Sequence, residues 1–130
     1  MQQRRWETRL AYFTLGALLV YAPIETIYSW PGGLSSPYYL VDVVAMALML
    51  TGAIHSLGAR PRPSPGLMTA GWSWAGANFW RALFDRIDLL RRGGQLDYGA
   101  IELRFVLAET AIALVCVIAG VALLLRARRD

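Results

Sequence analysis

Three stretches of this chain, residues 10–27, 40–57 and 105–125, are apolar enough and long enough to cross a bilayer. A helix needs about 20 mostly apolar residues to span roughly 30 Å of hydrocarbon. A fourth, weaker stretch covers residues 66–84 and is rich in Gly, Ala, Ser and Trp. Four spans with short connections use nearly the whole of the 130 residues and leave no room for a soluble domain. The fold class expected is all-α: one transmembrane domain over residues 1–130, an integral membrane antiparallel four-helix bundle whose third helix is extended by an amphipathic segment.

The balance of residues agrees, with 56% hydrophobic and only 17% charged. All thirteen basic residues are Arg, which hints at a GC-rich bacterial genome. The net charge of +4 does not imply nucleic acid, because binding of that kind needs a basic patch on one face. Here the arginines mark helix ends: Arg4, Arg5 and Arg9, then Arg60 and Arg62, then Arg126, Arg128 and Arg129. That is the pattern of membrane anchoring. The partners expected are the lipid bilayer and either another membrane protein or a second copy of the chain.

Cys116 is the only cysteine, so an intramolecular disulfide and a CxxC redox site are both excluded. It sits mid-helix among Val115, Val117 and Ala119 and reads as a packed thiol. His55 is the only histidine, which leaves His-based metal or haem ligation without partners in one chain. No Ser/His/Asp set, glycine-rich phosphate loop or metal-ligand spacing is present. No catalytic residue, metal or cofactor is assigned, and an enzyme is the least supported class.

The start of the chain imitates a signal peptide, with Arg4 and Arg5 followed by an apolar run from Leu10. Pro23 directly follows the small residue Ala22 and opposes cleavage there, so this segment reads as a retained first helix. Pro23 is also expected to kink it. Residues 29–37 are turn chemistry throughout, with Tyr28, Trp30, Tyr38 and Tyr39 as an interfacial aromatic belt. Residues 58–66 carry three prolines in a basic linker that cannot be helical. Beyond the third span, Leu83, Phe84, Ile87 and Leu90 are expected on one helical face, with Asp85, Arg86, Asp88 and Arg92 opposite. Gly93-Gly94 then ends the helix.

Residues 28–39 hold no basic residue, whereas the N-terminus, the Arg60/Arg62 linker and the C-terminal tail hold eight. With four spans these three lie together, and the positive-inside rule puts them in the cytoplasm of an inner (plasma) membrane protein. The third connection opposes this with Arg81, Arg86, Arg91, Arg92 and Arg104. The rival arrangement has three spans, with residues 66–92 on the cytoplasmic surface. Small-residue packing faces in helix 3, Gly71/Ala75 and Thr69/Ser73/Ala77, favour four.

Under four spans, Glu25, Asp42, Asn78, Arg81 and Glu109 all fall near the outer leaflet. Thr14, Tyr21, Glu25 and Tyr28 form one stripe on helix 1; Gly71, Trp74, Asn78, Arg81 and Asp85 form one on helix 3; Glu102, Glu109, Ala113, Cys116 and Gly120 form one on helix 4. Glu109 is the least able to escape, being short and followed by no charge until Arg126. It must be paired or protonated, and Arg81 is the natural bidentate partner. These five are the candidate ligand- or proton-binding residues. His55 reads as interfacial, Met46 and Met49 as core filling beside Asp42, and Trp72, Trp74 and Trp80 as anchors or packing. The function expected first is a non-enzymatic accessory or assembly subunit, or a homo-oligomer, with Arg81–Glu109 and Asn78 locking the helices. The alternative is a small-solute or proton-coupled transporter with a polar pocket near the outer leaflet.

Overall fold

A computed structural model describes residues 2–29, 35–58 and 65–128, excepting the side chains of residues 28, 29 and 38. Four α-helices account for 89% of the described residues, with no strand among them: α1 (Gln2–Ser29), α2 (Pro37–Leu57), α3 (Gly66–Arg91) and α4 (Ala100–Ala127). Three are long and apolar enough to cross a membrane: Gln2–Ile27, Tyr39–Leu57 and Ala100–Ala127. The weaker hydropathy of α3, already visible in its sequence, leaves it out of that set. Of the expected aromatic belt, Trp30 and the side chains of Tyr28 and Tyr38 lie outside what the structure describes, as does the basic linker at Arg60 and Arg62, while Tyr39 is buried.

Helix ends follow local chemistry. Pro37 opens α2 at a position whose N–H would have no helical partner. α1 continues through Pro23 to Ser29 and starts eight residues earlier than its hydropathy does, taking Arg4, Arg5 and Arg9 into its first turns. α3 ends as its glycines dictate. Gly93 has φ +78°, its N–H donates to Leu90 C=O at 3.0 Å, and the Gly94 N–H donates to Leu89 C=O, also at 3.0 Å. These two bonds are a Schellman cap, which uses the left-handed conformation glycine adopts without strain. Gly93→Ala is expected to cost about 1 kcal/mol, read as a lowered melting temperature by circular dichroism; an unchanged melt would count against the cap.

Packing follows chain order. α2 lies against α1 and α3, and α3 against α2 and α4, while α1 and α4 meet more narrowly. One link between the latter is the bond from Gln3 Nε2 to Leu123 C=O at 3.1 Å. The α2–α3 crossing is reciprocal. Gly52 of α2 faces the backbone of Met68, and Gly71 of α3 faces the backbone of Met49. Both methionines are fully buried, as core filling. On the other side of α3, Thr69 fits against Gly120, and Gly76 against Ala113. Small residues thus set the approach of α3 to both neighbours. The rest of the core joins Ala11, Leu18 and Tyr21 of α1 with Ala45 and Ala53 of α2, Trp72 and Phe79 of α3, and Cys116 of α4. The Trp72 indole N–H donates to Thr14 Oγ1 at 2.8 Å, giving this buried ring the partner its N–H needs.

The stripe expected on α3 is buried only in part: Gly71 is buried and Asn78 half-buried, while Trp74, Arg81 and Asp85 are exposed. The buried side of the helix carries Met68, Trp72, Ala75, Phe79 and Leu83. The large apolar residues, not the polar ones, choose the buried face. The expected amphipathic split past residue 83 fails for the same reason: Phe84 and Leu90 are exposed, and Arg86 turns inward.

Candidate functional site at one end of the four helices

Asp42, six residues into α2, is buried at 3% exposure. Its Oδ1 accepts two hydrogen bonds, from Tyr21 Oη of α1 at 3.0 Å and from Asn78 Nδ2 of α3 at 2.6 Å. Glu25, one turn beyond Tyr21 on α1, lies near the same carboxyl group. The Tyr21 ring is fixed from the other side by an edge-on contact with Phe79, with centroids 5.3 Å apart at 90°. Tyr39 adds a second hydroxyl at this end, 3.4 Å from Thr26 Oγ1.

Glu109 of α4 completes the group. It interacts electrostatically with Glu25, Asp42 and Arg86, and it lines an apolar cavity of about 470 Å³ whose walls include Phe13, Tyr21, Trp72 and Phe79. Arg86 lies two turns beyond Phe79 on the buried side of α3. Its Nε donates to Glu102 Oε1 at 2.6 Å, and its Nη1 donates to Ala82 C=O at 3.1 Å. Glu102 also accepts from the Tyr98 N–H at 3.3 Å, at the start of α4. One acid therefore ties the end of α3 to the beginning of α4 and caps the N-terminal dipole of α4.

Of the five residues singled out in the sequence, the structure brings Glu25, Asp42, Asn78 and Glu109 to one end of the four helices. It does not bring Arg81 to Glu109. Arg81 lies on the exposed side of α3, 3.7 Å from Asp85 one turn on. Arg86 holds the inward position instead, because it continues the heptad step from Trp72 through Phe79. Tyr21 joins the site as a hydroxyl donor that the sequence analysis leaves out, although its place one turn from Glu25 is visible in the sequence. His55 is half-buried near the far end of α2, away from the carboxyl groups. Among the described residues no three His, Cys, Asp or Glu side chains are grouped to hold a metal ion. Cys116 is a buried free thiol.

Compared with known proteins, the chain matches no family model, no curated protein and no solved structure.

Proposed function

We propose that the protein is a proton-coupled carrier of a small solute, with the Glu25/Asp42/Glu109 group as its proton-binding site. It is a single transmembrane domain, an antiparallel four-helix bundle in a bacterial inner membrane, with both termini in the cytoplasm. The contacts of α3 support a fourth crossing. From Met68 to Arg86 it runs lengthwise between α2 and α4, with Gly52, Met49 and Asp42 met in descending order on one side and Gly120, Ala113 and Glu102 on the other. A helix lying flat on the membrane surface would not follow both neighbours from end to end. The arginine pattern then directs the termini inward and the cluster outward.

The observation that carries the reading is a surplus of acid. Among the described residues Glu25 and Glu109 share the field of one arginine, Arg86, with Asp42 buried beside them, and Glu102 already bonds that arginine at 2.6 Å. A lock between helices needs acid and base matched, since an unpaired buried charge costs more than the pair returns. Surplus carboxyl groups in an apolar setting are instead neutralised by protons, the arrangement of intramembrane proton relays. The accessory or assembly role has no comparable observation behind it.

The test is proton flux into vesicles reconstituted with the purified chain, under an imposed pH gradient and followed with an entrapped pH-sensitive dye. Glu109→Gln is expected to lower flux at least about tenfold, because the amide cannot exchange the proton. Arg81→Gln should stay within about twofold of wild type, as a residue outside the cluster. Unchanged flux in Glu109→Gln overturns the proposal.

A further inference from the structure

At the opposite end from the carboxyl cluster, α1 and α4 stand apart around an apolar crevice of about 570 Å³. Trp6, Arg9 and Phe13 line it from α1, and Ala119, Ala122 and Arg126 from α4. The gap has a sequence cause. α4 offers alanines where α1 offers large rings, so the walls cannot meet. Both charged groups at the crevice are arginines, and no acid lines it. The Arg9 guanidinium sits over the Trp6 ring, 5.1 Å from its centroid, which fixes it at the mouth by a cation–π contact. Neither Arg9 nor Arg126 is in an ion pair among the described residues.

We propose that this crevice is a binding site for one anionic phospholipid, with an acyl chain between α1 and α4 and the phosphodiester held by Arg9 and Arg126. The proposal rests on the membrane reading above but not on the role given to the carboxyl groups. Charge complementarity selects the occupant. A second copy of the chain packed here would bring its own arginines to the same end and set like charges together. A lipid tail is already in hydrocarbon, so the apolar walls alone favour no lipid class. The two arginines do, because a basic pocket between helices at the cytoplasmic side attracts an anionic headgroup. The walls from residue 6 to 13 run about 10 Å along α1, enough to seat the upper part of one acyl chain.

The experiment is native mass spectrometry of the full chain in detergent, titrated with phosphatidylglycerol or with phosphatidylcholine of identical acyl chains. One phosphatidylglycerol per chain is expected, bound about tenfold more tightly than phosphatidylcholine. The double variant Arg9→Gln/Arg126→Gln should bring the two lipids within about twofold of each other, and Arg9→Lys/Arg126→Lys should keep the preference. Filling the crevice with Ala119→Leu/Ala122→Leu should lower phosphatidylglycerol retention at least about fivefold with helical content unchanged. Equal binding of the two lipids by wild type overturns the proposal, as does a preference that survives the glutamine variant. Full retention in the leucine variant overturns it too, since the headgroup would then be held without the crevice. Displacement of the lipid by equimolar inorganic phosphate, or a dimer cross-linked through α4 whatever the lipid, would each assign the site to another occupant.

Discussion

Gly52→Leu abolishes the cooperative melting of the protein, or lowers its midpoint by about 10 °C or more. A Cβ at this position would already lie 2.6 Å from Met68 Cα and 2.8 Å from the Leu67 carbonyl carbon, and still closer to the Met68 amide nitrogen. These are backbone atoms of a packed helix and cannot rotate away. The only relief is to move α3 off α2, which also opens the neighbouring contact of Gly71 with Met49 and draws Asn78 away from Asp42. Overpacking a core typically costs about 1–3 kcal/mol when side chains can adjust; with helix backbone in the way, the upper part of that range is the floor here. Gly16→Ala is the matched control, because a Cβ there meets nothing within 4 Å. Detergent melts followed at 222 nm separate the two variants, and a Gly52→Leu protein that melts like wild type would show that α2 and α3 do not cross at this glycine.

The second large effect belongs to Asp42. Asp42→Leu removes the acceptor used by both Tyr21 and Asn78 and takes away the carboxyl group beside Glu25. Each buried donor left without a partner costs about 1–3 kcal/mol, so a loss of roughly 2–4 kcal/mol is expected for the pair. Proton flux should vanish with it. Asp42→Asn divides the two consequences. Its carbonyl oxygen still accepts from Tyr21 or Asn78, so most of the stability returns, but the amide carries no exchangeable carboxyl proton and flux stays low. Flux restored in Asp42→Asn would remove Asp42 from the proton site and leave it a purely architectural acceptor.

The helices were legible from hydropathy wherever the chain is apolar on all sides, as in α2 and α4. The end of α3 was legible from Gly93-Gly94, because the Schellman turn is a local requirement that no distant contact can override. What sequence periodicity could not fix was the rotation of α3 about its own axis. Its polar residues Asn78, Arg81 and Asp85 fall at helical spacing and so define a stripe, but Trp72, Phe79 and Leu83 define another about 150° away around the helix, and burying aromatic area outweighs aligning charges. From that one rotation follow both the loss of Arg81 from the site and the entry of Arg86. The four remaining candidates were found because a short acidic or amide side chain inside an apolar run has few places to go. Their mutual bonds were not readable, since Asp42–Asn78 and Asp42–Tyr21 depend on how closely α2 approaches its two neighbours, and Gly52, which sets one of those approaches, looks in sequence like any other glycine in an apolar helix.

Because each helix packs chiefly on the one before it, the protein can assemble in the order in which the ribosome delivers it. Contacts between neighbours in sequence close short loops, which are the least costly to form. The α1–α2 hairpin already contains Tyr21, Glu25 and Asp42, and α3 adds Asn78 as it arrives. Only α4, the last to emerge, brings Glu109 and the partner of Arg86. During synthesis Arg86 therefore waits for the acceptor that holds it, and the docking of the final helix supplies that acceptor in Glu102.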